Sequence, residues 1–391
     1  MVLGSGLSSF GDSALYLTLG IWAKDLTGSN ALAGMTFLFL GLPGLFGPLA
    51  GHLIDRVGRR RLMICADLLG AGLVIGLLAV HDRSDLWILY AVAVGLGAVL
   101  TLHGGARSGL LRDMLPDAQL GSANAAFQTL SQGLRLFSPL VGAGIYASAG
   151  GGLLAVLDAM TFLVSAAVLS TIRVVESEPD PAEPFRRAVT AGFRHLWQEV
   201  VLRRIVAAAA VTFIVMGFYE TVLFALADQG LHRSPPFVGV LLSSQGGGSI
   251  LGGITAAALL KRWGEPRLVA ASLLAFSLGS LLAIVATVPT VLAGTFIDGI
   301  AVSWLVVGFG TALQRRTPPR LIGRTGTAAN VLLDVPQTAS IALGAVLISM
   351  VDYRLLMACV VAMTLASGVW LATRRDVPAS PEVAALAVVP V

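Results

Sequence analysis

Apolar runs of about 20 residues, each long enough to cross a hydrocarbon core of about 30 Å as helix, recur along nearly the whole chain with short polar breaks between them. They start near Leu3, Asn30, Leu62, Leu86, Ser122, Leu153, Ile205, Phe237, Leu268, Pro289, Thr327 and Tyr353, which makes twelve. A bilayer offers no water to satisfy backbone groups, so runs of this kind cross it as helices that close their own hydrogen bonds. The composition agrees. Only 12% of residues are charged and 56% are hydrophobic, whereas a soluble domain carries roughly 25% charge to cover its surface. The first run has no basic segment ahead of it and no small-residue cleavage site, so Leu3 to Trp22 reads as a retained span and not as a signal peptide.

The longest polar break separates an N-terminal six-helix half (1–172) from a C-terminal one (205–375), with a central loop (173–204) and a tail (376–391). The loop begins as a Pro-rich acidic linker, Glu176 to Pro181, and continues as a segment, Phe185 to Val201, that reads as an amphipathic helix lying at the membrane surface. Of the 26 lysines and arginines, Lys24, Arg83, Arg233 and Arg354 fall on one face, Arg135 lies within a span, and all others gather on the opposite face. That bias makes the basic face cytoplasmic, which predicts a multi-pass protein of the plasma (inner) membrane with both termini inside. Shifting the chain by 206 residues lays Gly11 on Gly217, Gly58 on Gly264, Arg61 on Arg267, and Ala123-Asn124 on Ala329-Asn330. The halves are therefore expected to be parallel repeats, an arrangement in which substrate passes between them near the midplane.

Between spans two and three the chain reads Gly51-His52-Leu53-Ile54-Asp55-Arg56-Val57-Gly58-Arg59-Arg60-Arg61. Gly51 allows close helix approach, Gly58 allows a tight turn, and Asp55 is an anion suited to a helix N-terminus. This loop resembles the G-x-x-x-D-R-x-G-R-[RK] signature of the major facilitator superfamily and occupies the same loop. The matching second-half loop keeps Arg262, Gly264 and Arg267 but has Lys261 in place of Asp55. The resemblance covers the whole chain and implies an all-α membrane protein with twelve transmembrane helices in two six-helix parallel repeats, the major facilitator fold. It further implies that Gly51, Asp55, Arg56, Gly58, Arg59 and Arg60 form a conformational latch, Asp55 and Arg59 reaching the start of span eleven near Thr327 in the outward-facing state. The alternative is that the arginines merely anchor topology.

Ser138-Pro139-Leu140-Val141-Gly142-Ala143-Gly144 in span five resembles the G-P-x-x-G-G element of exporters in this superfamily, with Ser138 and Ala143 departing from it. Proline bends the helix and small residues permit close packing; generic packing is the competing reading. The stretch Arg107 to Ala125 and Leu157-Asp158-Ala159 with Phe162 resemble the branch of siderophore and macrolide exporters.

Ionisable groups inside spans cost about 2.5–3.5 kcal/mol each on insertion scales and face a cavity or a partner. Asp67 and His103 lie toward the basic ends of spans three and four, where Asp67 is expected to snorkel or pair with loop arginines and His103 to pack or carry a proton. Asp158, in a helix peripheral in this fold, reads as structural. Asp12, Arg135, Glu220, Asp298 and Asp334 fall in helices that line the central cavity of the resembled fold, as proton-coupling or substrate-binding candidates. Asp12 and Arg135 are expected to pair, and a desolvated acid can hold a proton near neutrality.

Neither lysine, Lys24 or Lys261, belongs to a P-loop, and no nucleophile–base or metal-ligand constellation is visible; Cys65 and Cys359 have no metal or disulfide spacing. The expectation is therefore no enzyme, no cofactor, no metal and no nucleic acid. The sequence reads as a secondary transporter, a proton-coupled exporter of small amphipathic molecules acting as a monomer. An importer or facilitator on the same fold and a non-transporting sensor or scaffold stand as alternatives.

Overall fold

The computed structural model describes residues 2–46, 58–114, 117–172, 174, 185–318 and 321–374. Among them every regular element is helical: α1 (Val2–Thr27), α2 (Asn30–Gly41), α3 (Arg59–Gly76), α4 (Leu86–Met114), α5 (Asp117–Thr171), α6 (Phe185–Gln198), α7 (Val200–Ala225), α8 (Phe237–Trp263), α9 (Glu265–Ile284), α10 (Val288–Arg315), α11 (Ile322–Leu347) and α12 (Tyr353–Ala372). α5 is two spans joined at Gly150, whose φ of 76° and ψ of 177° break the helix in a region open essentially to glycine alone. The twelve spans are thus α1–α4, the two arms of α5, and α7–α12. α6 is the predicted surface helix.

Helix starts at Asn30, Leu86, Phe237 and Tyr353 coincide with the apolar runs, and the others come one to five residues earlier. The difference has a physical origin. Arg59, Arg60, Arg203 and Arg204 continue their helices beyond the apolar stretch, since long basic side chains reach the interface while their stems stay against the helix. α2 is short because it tightens at Leu42–Phe46, where Pro43 supplies no N–H. The turns on the face opposite the arginines are capped: Ser29 Oγ accepts from Leu32 N–H (3.3 Å), Asp82 Oδ1 from Ser84 N–H (2.7 Å), and Asp352 Oδ1 from Arg354 N–H (2.7 Å). Two acids of that face, Asp82 and Asp352, are therefore accounted for as caps.

Nine described stretches are long and apolar enough to cross a membrane, among them Arg59–Ala79, Arg83–Arg107 and Val200–Gly230. Their side chains divide by helical period. On α3, Met63, Ala66, Asp67, Gly70, Ala71 and Val74 are buried, whereas Leu68 and Leu69 are exposed. On α5, Asp158 is buried beside the exposed Leu157 and Met160. The apolar exposed flank suits lipid, and the acids turn inward.

The chain forms two compact units. The first comprises Met1–Ala182 with Leu223–Gly246, the second Glu183–Val222 with Gly247–Val391, so α7 and α8 each contribute to both. In the first, α1 lies along α5, and α3 packs on α4 and α5. Gly70 leaves room for the Phe162 ring, which a Cβ would meet at 2.9 Å. In the second, α9 packs on α10 and α12, and α6 on α11. Gly279 of α9 and Gly294 of α10 touch backbone to backbone, and Gly192 of α6 rests on the Arg324 carbonyl.

Candidate functional site

The first unit draws four titratable side chains from α1, α3, α4 and α5 into one region. Asp12 of α1 accepts from Ser8 and lies within electrostatic reach of Asp158 and Asp67. Asp158 is buried and stands against Gly11, where a Cβ would strike its Oδ1. Asp67 is fully buried, and His103 Nε2 lies 2.8 Å from its Oδ1. The expected snorkelling of Asp67 toward loop arginines does not occur: residue 67 is on the inner stripe of α3, opposite Leu68 and Leu69, and the imidazole from α4 meets it there. Asp158, read as structural, accepts from Thr161 Oγ1 (3.1 Å), and Gly11, one of the residues matched by the repeat, leaves room for its carboxylate against α1. The side chain of Arg135, the predicted partner of Asp12, lies outside the described residues.

At the basic end, Gly51, Asp55 and Arg56 lie outside the described residues. Gly58 caps α3 with φ −48°, an ordinary value, whereas Gly264 in the second-half loop has φ 77°, so the conformational need for glycine falls on the second copy. Arg59 Nη1 pairs at 2.6 Å with Oδ2 of Asp113, whose side chain is 1% exposed. Arg60 donates through Nε to the Leu169 carbonyl (2.8 Å) and through Nη2 to that of Ser170, closing the ends of α3 and α5. In the second unit, Arg315 and Arg316 pair with Glu265 (3.1 and 3.8 Å), and Arg316 also with Glu199 (3.3 Å). The repeat shift carries position 59 to 265, so the ion pair between the third and fourth helices of each half is kept with its charges exchanged. Sequence comparison of the loops alone misses this, because the arginine partners lie at the far end of the next helix.

The span-five element has contacts on two sides. A Cβ at Gly142 would stand 2.6 Å from the Ala14 carbonyl oxygen of α1, and one at Gly239 of α8 would meet the Pro139 carbonyl and the Ala143 Cβ. Ser138 and Pro139 are buried, and Gly144 is exposed with open space around it. At the face opposite the arginines, Lys24 Nζ bonds Asp228 Oδ2 (2.7 Å) and the Gly28 carbonyl (2.8 Å). Asp228 sits in a π-helical turn, Leu226–Gly230, that ends α7. Nearby, Phe224 stacks on Phe37 of α2 and fills the space over Gly20 of α1.

In the second unit, Tyr219 Oη donates to Asp298 Oδ2 at 2.8 Å, both groups fully buried or nearly so, and Gly279 leaves room for Asp298 Oδ1. Glu220 follows Tyr219 on α7 and is half-buried, and Asp334 on α11 is exposed. The structure thus brings Asp12 together with Asp158, Asp67 and His103, and Asp298 together with Tyr219. Among the described residues, no three or more His, Cys, Asp or Glu side chains are placed so that they could hold one metal ion.

The family model described as Major Facilitator Superfamily matches residues 1–232 and 211–388. Macrolide efflux protein A of Streptococcus pyogenes is 22% identical over 355 residues, covering 88% of this chain and 87% of its own. Multidrug efflux pump Tap of Mycobacterium tuberculosis (strain ATCC 25618 / H37Rv) is 26% identical over 338 residues, 81% of this chain and 79% of its own. Among solved structures, a mutant of the nucleoside transporter NupG superposes with a TM-score of 0.75 at 12% identity over 95% of this chain and 98% of that one. A bacterial homologue of the iron transporter ferroportin, in its inward-facing state, does so with 0.72 at 13% over 95% and 98%. With its twelve spans, its signature loop and a family model matching nearly end to end, the chain is a multi-pass membrane transporter, not an enzyme, and belongs to the major facilitator superfamily.

Proposed function

We propose that the protein is a proton-coupled exporter of small amphipathic molecules such as drugs, secondary metabolites or siderophores. It works by alternating access, as a monomer in the plasma membrane with both termini cytoplasmic. The observation that carries export is that relatives aligned over 81–88% of this chain are efflux proteins for macrolides and multiple drugs. The tight seating of Gly142 on α1 and of Gly239 on the Pro139 turn adds to it, since a span so packed keeps its bend. Residues 1–172 and 205–375 are the two repeats, with Asp55 and Arg59 latching their cytoplasmic ends.

In this reading Asp12 and Glu220 carry coupling protons or bind a cationic part of the substrate, and Arg135 sets the charge of Asp12. Asp334, an exposed acid within a span, faces a water-filled path, because lipid would exclude it. Asp298 holds Tyr219 and so fixes the rotation at which α7 presents Glu220. The test is macrolide transport by Asp12→Asn and Glu220→Gln in vesicles with an imposed proton gradient. Gradient-driven transport undiminished in both variants refutes these assignments. In a pump-deficient strain, expression raises resistance, and collapsing the proton gradient abolishes the gain; resistance that survives the collapse refutes proton coupling.

A further inference from the structure

The Asp67–His103 contact has no part in the reading above. His103 Nε2 is 2.8 Å from Asp67 Oδ1, yet neither atom has a hydrogen-bond partner of good direction, so the two are in close approach and a small ring rotation would align them. Asp67 Oδ2, Asp158 Oδ2 and Asp12 Oδ1 are likewise buried without hydrogen-bond partners. Asp158 Oδ1 accepts from Thr161 Oγ1 (3.1 Å) and Asp12 from Ser8. Buried carboxylates with an oxygen left unpartnered are costly as anions, and Asp12 lies within electrostatic reach of both Asp158 and Asp67. Eight residues of α3 separate Asp67 from Arg59, and ten of α4 separate His103 from Asp113, which at about 1.5 Å per residue puts the pair about 12–15 Å in from the basic ends. Among the described residues, Asp12 of α1 lies within electrostatic reach of Asp67 and of Asp158 on α5, Arg107 follows His103 by one turn on α4, and the Arg59–Asp113 pair closes the basic end.

We infer that the Asp67–His103 pair is the inner proton station of the N-terminal half, taking protons from the Asp12–Asp158 acids and releasing them to the cytoplasm. The step is a transfer of one proton. The carboxylic acid of Asp12 or Asp158 becomes a carboxylate as neutral His103 becomes an imidazolium held by ionised Asp67. The imidazolium then gives the proton to cytoplasmic water. Histidine suits this post because its ordinary titration spans neutral pH. The inference rests on the proton-coupled reading, and the experiment separates the two.

Full-length protein in liposomes is assayed with labelled erythromycin for gradient-driven uphill transport and for gradient-free exchange. Wild type is compared with His103→Gln, Asp67→Asn and Asp67→Glu. The first two are expected to keep exchange within about twofold and to lose uphill transport by about tenfold or more, with the pH profile flattened, while Asp67→Glu regains most of it. Uphill transport and pH profile unchanged in His103→Gln overturn the inference while leaving proton coupling intact. Loss of exchange and uphill transport together, with lowered thermal stability and no rescue by Asp67→Glu, makes the pair structural and overturns it too. Wild-type transport indifferent to the gradient overturns the proton-coupled reading itself. A readout that needs no substrate is exchange of the His103 ring C2–H, followed by mass spectrometry between about pH 5 and 9. His103 should titrate there and shift in Asp67→Asn; an imidazole that does not titrate overturns the inference.

Discussion

Removing the Lys24–Asp228 bond should loosen the outer end of α7 from α1, and the two partners should not be equivalent. Lys24 is 9% exposed and bonded to both Asp228 and the Gly28 carbonyl, whereas Asp228 is 46% exposed. Two unit charges at 4 Å attract by about 4 kcal/mol at an effective dielectric of 20. Desolvation of the lysine, side-chain ordering and the water that reaches Asp228 reduce the net to about 1–2 kcal/mol. Lys24→Met deletes the buried member and leaves an aspartate that water can solvate, so it should cost about 1 kcal/mol. Asp228→Asn leaves a nearly buried ammonium with a neutral amide and should cost more, about 2 kcal/mol. Since about 1.4 kcal/mol is tenfold in a population, the undocked fraction of the α7 end should rise about 5-fold in the first variant and about 30-fold in the second. The double variant should resemble Lys24→Met, because no stranded charge remains. Ala227, 1% exposed in the same turn, reports the docking. With Cys65 and Cys359 replaced by alanine, an Ala227→Cys probe should react with a membrane-impermeant maleimide at rates ordered wild type, Lys24→Met, Asp228→Asn. Equal rates in all three, or Lys24→Met faster than Asp228→Asn, would show that the bond does not hold the end of α7 against α1.

Gly142→Val drives a side chain into the Ala14 carbonyl and should cost about 1–3 kcal/mol by overpacking, whereas Gly144→Ala, with open space around it, should be neutral; thermal unfolding in detergent distinguishes them. Tyr219→Phe strips the donor from buried Asp298 Oδ2 and should lower stability by about 1–3 kcal/mol, visible as a reduced melting temperature. Arg59→Asp and Asp113→Arg should each destabilise by about 2–3 kcal/mol, the loss of a buried pair discounted for the partial exposure of Arg59. The combined exchange should recover at least half of that, since the second unit already runs the pair with its charges reversed. A double exchange no more stable than the single variants would show that the basic end depends on more than this pair.

The spans, their number and the amphipathic helix are legible in the sequence because each depends on a local run of residues against a solvent of known thickness. Even the inner stripe of α3 follows from period alone. What is not legible is which polar group meets which. Asp67 and His103 stand 36 positions apart, Lys24 and Asp228 204 apart, and nothing local to either member names the other. The sidedness of the charges obscures the outer pair further: Lys24 counts as an exception to the positive bias until Asp228 supplies its reason for being there.

The repeat shows the same limit from the other direction. Residue matching finds the second signature loop degenerate, with Lys261 where the first loop has Asp55. Yet Arg59–Asp113 and Glu265 with Arg315 and Arg316 close the same two helices of each half. Coulomb attraction is indifferent to which helix carries the anion, so an exchange of both signs preserves the bond while erasing the residue match. Glu265 also gains from standing in the first turn of α9, where the helix dipole favours a negative charge. Arg59, in the equivalent turn of α3, forgoes that gain, and its short bond to Asp113 has to offset the difference. The arginine copy is thus the one whose acidic partner matters more. Loss of Asp113 should therefore disturb the first basic end more than loss of either Arg315 or Arg316 disturbs the second, where two arginines share one glutamate.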